Sequence, residues 1–216
     1  VQDGTQAFDV AISSAMDLQT KLANDGLALS HQSSATERLP DWALWNDMVF
    51  AFTQEPAAIV VSNAAFPDGA IPRSRQELIA TLRENPDRFR GKLGTYDVRA
   101  SGLGYLFATQ DARTSETYWR LTEVMGALDV QLYCCSSDMI DGVVEGDLAI
   151  AYNVLASYAL ERSDNAEYTV ILPTDFTTLM LRSVLIPARS AQPDAARRFV
   201  DHLLDQAFEG GTLPAN

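Results

Sequence analysis

Lys92-Leu93-Gly94-Thr95-Tyr96-Asp97-Val98-Arg99-Ala100-Ser101-Gly102-Leu103-Gly104-Tyr105-Leu106-Phe107 carries the pattern that decides the fold: a short apolar run, a polar turn and an amphipathic restart. Residues 92–96 read as a strand, and the turn opens a helix through Tyr105, Leu106 and Phe107. The same alternation extends to both sides. Toward the N-terminus, residues 8–12 read as a buried strand, followed by a helix over 16–24 that Ser13 or Ser14 caps and Gly26 stops. Residues 50–52 and 57–61 read as two strands around Glu55-Pro56, a crossing or hinge segment. Ser74 caps a helix over 75–84 that Asn85-Pro86 ends.

Toward the C-terminus the pattern predicts a helix over 116–128, a strand over 130–134 and a helix over 139–144 capped by Ser136 or Ser137. A turn at Glu145-Gly146-Asp147 leads to a strand over 148–152 and a helix over 155–162. Strands over 168–172 and 179–186 precede an amphipathic helix opened by Pro193-Asp194, and the tail from Glu209 reads as loose. Strand–helix units in this order predict an α/β fold with mostly parallel sheets. In such sheets ligands sit beyond the carboxyl ends of the strands.

With 29 acidic against 16 basic residues the formal charge is −13, which repels nucleic-acid phosphates and anionic lipid headgroups. No stretch reaches the roughly 20 consecutive apolar residues of a membrane helix. Val1-Gln2-Asp3-Gly4-Thr5-Gln6 is polar and lacks a basic start, so no secretory signal is read there. Cys134 and Cys135 are adjacent, and their Cα atoms at about 3.8 Å are closer than the usual disulfide span of about 4.4–6.8 Å. The pair therefore reads as two small buried thiols at a strand end, with a vicinal disulfide as the alternative. Neither cysteine pairs in sequence with His31 or His202, which read as surface residues, so no zinc site is expected. Nucleophile elbows, phosphate loops and zinc-protease motifs are absent from the sequence.

Three strand-to-helix junctions share one chemistry: residues 12–17, 96–102 and 135–138. Each sets hydroxyls and free backbone N–H groups at a helix start, where the helix dipole favours negative charge. Ser13, Ser14, Ser101 and Ser136 are the candidate hydroxyls; Gly102 allows close approach to the backbone, and Arg99 can add a bidentate charge. Tyr152-Asn153 ends a strand and reads either as a ligand contact or as core packing and a cap.

Phe8-Asp9-Val10 leading to Ser13-Ser14-Ala15-Met16-Asp17, Arg90 to Asp97 followed by Ser101-Gly102-Leu103-Gly104, and Glu145 to Asn153 occur here in a fixed order, with Ile186-Pro187 and Phe199 to Leu204 after them. In that order they resemble the iron-type extracellular solute-binding proteins of ABC transporters, and also the phosphoglycerate-transport regulators. The resemblance implies the type II periplasmic binding protein fold: two α/β lobes with mixed, mostly parallel sheets, joined by crossing strands. Lobe one would hold 1–58 and 173–216, and lobe two 59–172. Members of the family carry a further strand, helix and strand before the Asp9-Val10 strand and more C-terminal helix, so lobe one would be incomplete. The resemblance places Ser13, Ser14, Ser101, Gly102, Ser136 and Asn153 at an interlobe cleft. Iron-binding members carry a tyrosine pair where this chain has Val154-Leu155, which favours a small anionic solute over ferric iron. The implied protein is periplasmic and non-enzymatic, and has no cofactor. It captures solute for an ABC permease; the alternatives are a ligand sensor acting on a membrane sensor kinase, or a ferric-iron-binding protein.

Overall fold

A computed structural model describes residues 8–162 and 167–208. The loose tail read from Glu209 and the polar stretch 1–6 lie outside the described residues. The chain divides into two compact units, residues 1–55 with 180–216 and residues 56–179, where the sequence reading divided it at 58/59 and 172/173.

In the first unit β1 (Ala11–Ser13) pairs antiparallel with β8 (Leu179–Leu185), with Ser13 opposite Ser183. β2 (Leu44–Trp45) pairs antiparallel with the start of β3 (Val49–Ser62). α1 (Met16–Asn24) follows β1 over the predicted span, but its cap residue is Ala15. Ser13 accepts the Ala15 amide at 3.0 Å, so its hydroxyl closes the turn one step before the helix. α8 (Pro193–Ala207) begins with proline, whose missing N–H costs nothing at a helix start. Its buried Ala196, Val200 and Leu204 fall four residues apart and pack with Phe50, Val184 and Ile186. Glu55 is buried at the end of this unit's share of β3 and accepts from Arg182 Nε and Nη2 at 3.0 and 2.8 Å. His31, read as a surface residue, is buried: its Nε2 lies 2.7 Å from Asp201 Oδ1 on α8.

In the second unit the rest of β3 lies between β6 (Ile150–Leu155) and β7 (Tyr168–Ile171), antiparallel to both. The two strands read around Glu55-Pro56 are thus one strand of 14 residues, because Pro56 lies within β3 without ending it. β4 (Leu93–Tyr96) pairs in parallel with β6 and with β5 (Gln131–Tyr133), so the pairing is mixed. α2 (Arg75–Glu84), α3 (Pro86–Phe89), α4 (Gly102–Thr114), α5 (Thr117–Ala127), α6 (Ser136–Glu145) and α7 (Ala156–Leu160) complete the unit. Ser74 caps α2 by accepting the Glu77 amide at 3.2 Å, as its spacing predicts. Leu78, Leu82, Leu121 and Met125 bring α2 and α5 onto Ile59, Val61, Leu93 and Ile150 of the sheet. α6 stops at Gly146, whose φ of 84° is open to glycine without steric cost.

The helix α4 approaches β4 very closely at one point. A Cβ added to Gly104 would stand 2.3 Å from the Cβ of Tyr96. Gly→Ala in a helix ordinarily stabilises by about 0.5–1 kcal/mol. Here Gly104→Ala is expected to reverse that sign and destabilise by about 1–3 kcal/mol through overpacking, read as a lower urea midpoint with the slope unchanged; a neutral or stabilising result would contradict this packing.

Candidate ligand-binding site

β4 and β5 run in parallel with Tyr96 opposite Tyr133, so their carboxyl ends reach one edge of the sheet. From that edge residues 97–101 lead into α4, and Cys134-Cys135 lead into α6. The first-turn amides of a helix have no intrahelical acceptor. At α4, Ser101 Oγ accepts the Gly104 amide at 3.1 Å, which leaves Gly102 and Leu103 at the exposed end of the turn. The turn is shaped from beneath, because the Ala100 and Ser101 amides both donate to the Asp97 carbonyl at 3.0 and 2.9 Å.

Ser136 ties this edge together. Its hydroxyl lies 2.5 Å from the Tyr96 hydroxyl and accepts the Leu155 amide at 3.2 Å, joining the ends of β4 and β6 to the start of α6. It is buried in the first turn of α6, and the cap residue is Cys135, not Ser136 or Ser137. Burial raises the Tyr96 pKa, against the lowering effect of the Ser136 hydrogen bond.

Arg99 is exposed and turned back on its own loop. Its Nε and Nη2 donate to the two Asp97 carboxylate oxygens at 2.9 and 2.8 Å. The Arg99 side-chain and backbone hydrogen bonds hold the Asp97 carboxyl down to about 2. Arg99, read as a ligand contact, has its bidentate face occupied by Asp97 instead, so the turn does not present it as a free charge.

Tyr152 and Asn153 lie behind the edge in a buried network. The Tyr152 hydroxyl donates to Asp111 Oδ2 at 2.6 Å and accepts from Arg75 Nε at 2.6 Å. Asn153 Nδ2 donates to Asp111 Oδ2 at 2.9 Å, and Thr178 Oγ1 donates to Asp111 Oδ1 at 3.1 Å. Arg75 Nη2 reaches Asp111 Oδ1 at 3.3 Å, and Nη1 donates to Asp175 Oδ1 and the Phe176 carbonyl at 3.1 and 2.7 Å. Burial opposes the Arg75 charge, but the facing Tyr152, Asp111 and Asp175 outweigh it and raise its pKa. Burial, reinforced by Asp111, pushes the Tyr152 phenol well above its ordinary value. Asn153 has φ 63°, a conformation that asparagine tolerates better than most residues.

Ser101, Gly102 and Ser136 are thus gathered at one sheet edge, with Tyr152 and Asn153 in the layer beneath. Ser13 and Ser14 belong to the other unit, half-buried at the turn into α1. The sequence reading did not single out Arg75 and Asp111. A signal was available: Arg75, Leu78, Ile79 and Leu82 share one buried stripe of α2, and Asp111 continues the stripe of Gly104 and Phe107 on α4. Cys134 and Cys135, read as buried thiols, are exposed and joined as a vicinal disulfide beside the start of α6. Adjacent residues in the turn after β5 face solvent because the strand that carries them is half-exposed along its length.

No family model and no curated protein sequence matches this chain. Solved structures do. The substrate binding protein of an ABC transporter from Agrobacterium tumefaciens is 33% identical, with a TM-score of 0.90 over 99% of this chain. The chain spans 65% of that protein's length. The periplasmic binding protein AfuA from Actinobacillus pleuropneumoniae, with fructose-6-phosphate bound, is 18% identical with a TM-score of 0.78 over 98% of this chain and 69% of its own. The periplasmic binding protein P5PA is 19% identical with a TM-score of 0.77 over 100% of this chain and 71% of its own. All three are binding proteins rather than enzymes.

The buried phenols generate a pH dependence. Tyr96 and Tyr152 hold their protons in the folded state, whereas an unfolded tyrosine loses its proton near pH 10. Their contribution is complete below about pH 10 and is lost as pH rises through the folded values. The melting temperature is expected to fall steeply above about pH 10, and less steeply in Tyr96→Phe; equal slopes in the two proteins would contradict the burial of this phenol.

Proposed function

We propose that this chain, which shares the type II periplasmic binding fold of substrate-binding proteins of ABC transporters, captures a small anionic solute outside the cytoplasmic membrane and delivers it to a permease. The observation that carries the reading is the carboxyl edge of β4 and β5, from which α4 and α6 both begin. Two helix starts on one edge direct unpaired amides and the positive ends of two helix dipoles at the same side of the sheet. Gly102 and Leu103 supply the amides at α4, and Ser137 and Asp138 those at α6. Ser13 and Ser14 present the comparable turn in the first unit.

Ferric iron is the weaker reading, since it requires several hard oxygen ligands. The one tyrosine on this strand, Tyr152, has its hydroxyl engaged by Arg75 and Asp111, and the following positions are Val154 and Leu155. Delivery to a permease rather than to a sensor kinase is supported by the Agrobacterium relative, itself the substrate binding protein of an ABC transporter. Among the described residues no helix is long and apolar enough to cross a membrane.

Thermal shift with inorganic phosphate, phosphate esters, carboxylates and ferric ion tests the ligand class. A ligand at 100 times its dissociation constant adds about 2.7 kcal/mol of stability. Ser101→Asp tests the site, because aspartate caps a helix as well as serine does while setting a negative charge at the α4 start. The variant is expected to keep its fold and lose the anion by at least about a hundredfold, on the order of 2.7 kcal/mol. Unchanged affinity in Ser101→Asp would remove α4 from the site, and a shift with ferric ion alone would overturn the anionic assignment.

A further inference from the structure

A cavity of about 340 Å³ lies wholly within the first unit, between the start of α1, the segment around β2, and β3 and β8. Its walls include Asp17, Trp42, Trp45, Leu181 and Ser183. Trp42 and Trp45 are 53% and 45% exposed, an unusual state for two large aromatic rings set so close in sequence. The volume is within the range of small-molecule sites.

The polar atoms of this cavity are one-sided. Asp17 Oδ1 is buried and has no hydrogen-bond partner, the one such side-chain atom found among the described residues. Buried polar atoms are nearly always paired, so an orphan on a cavity wall calls for a partner from outside. An ionised carboxylate is acceptor-only and needs a donor. The walls do not provide one. Thr20 donates its hydroxyl to the Met16 carbonyl at 2.9 Å, Ser183 donates to Gln19 Oε1 at 2.9 Å, and the Trp45 indole donates to Asn24 Oδ1 at 2.9 Å. Among the described residues no lysine or arginine lines the space. Asp17 stands in the first turn of α1, where a negative charge suits the helix dipole, but that favourable field leaves Oδ1 without a donor.

From these observations we propose that the first unit holds a binding site for a primary alkylammonium group. The ammonium nitrogen donates to Asp17 Oδ1, Trp42 and Trp45 provide π faces for the positive charge, and the alkyl chain packs on Val49, Ala51 and Leu181. A bare metal ion suits the cavity less well, since hard cations collect six or more oxygen ligands and, among the described residues, Asp17 is the one carboxylate on the wall. The site lies within the first unit, beside the Ser13–Ser14 turn, and does not use the α4 and α6 starts of the second unit.

Titration of the chain with n-butylamine, followed by tryptophan fluorescence, tests the proposal; n-butanol is the neutral isostere and tetramethylammonium the cation without N–H donors. Saturable change is expected with butylamine, at least about tenfold weaker with tetramethylammonium and absent with butanol. Asp17→Asn and Trp42→Leu are each expected to weaken butylamine at least about tenfold while circular dichroism stays unchanged. Asp17→Asn is also expected to unfold at an equal or higher urea concentration than the parent, because a neutral amide leaves less uncompensated polarity at the buried Oδ1 position. No saturable response to butylamine, an equal response to butanol, unchanged affinity in Asp17→Asn, or a lower urea midpoint in Asp17→Asn would each overturn the site. A failed anion screen would leave all of these readouts untouched.

Discussion

Arg75 carries a full positive charge with none of its side chain exposed, and the second unit is organised around keeping that charge satisfied. Desolvating a guanidinium is costly unless each donor finds an acceptor. Asp111, equally buried, is the partner that makes the arrangement stable: its two oxygens receive Arg75, Thr178, Tyr152 and Asn153. The Phe176 ring lies 3.6 Å below the guanidinium carbon and closes the remaining side. One ion pair therefore pins α2, α4, β6 and residues 175–178 to each other.

That constraint sets up the ligand edge. α4 is held in its last turn by Asp111 and at its start by the contact of Gly104 on Tyr96, so the direction of its first turn is fixed. β6 is held by Tyr152 and Asn153, and just beyond them Leu155 donates to Ser136 at the head of α6. At the carboxyl edge of β4 and β5 the side chains of Tyr96, Asp97, Arg99, Ser101 and Ser136 are engaged with one another or with nearby amides, which leaves first-turn backbone amides as the groups a solute would meet under the proposed function. This division suits a receptor: the amides are rigid and charge-selective, and they need no side chain to reorganise on binding. The cavity of the first unit has the opposite character, with an unpaired carboxylate oxygen and two indole faces.

Much of this was legible in the sequence, for identifiable reasons. The β4–α4 junction, the Ser74 and Ser101 caps and the stripe of α8 are local features, and local spacing records them. The order of segments pointed to the binding-protein fold that the structural relatives share. What stayed hidden depends on partners remote in sequence. Arg75 was not singled out because its counter-ion lies 36 positions away, although its place on an apolar stripe was a warning. His31 looked exposed in a polar loop because Asp201, which buries with it, lies 170 positions away. β3 looked like two strands because proline usually interrupts pairing, whereas Pro56 stands where the strand leaves one unit for the other. Ser136 looked like a cap; its hydroxyl instead serves two other strands.

The claim on which the account rests is that Arg75 and Asp111 act as one buried unit. A double-mutant cycle with Arg75→Met and Asp111→Leu, followed by urea unfolding, measures it directly. Each single change strands a buried charge and is expected to cost about 3–5 kcal/mol, while the double change removes both charges and recovers a large part of the loss. Single losses that simply add in the double variant, to within about 0.5 kcal/mol, would contradict it.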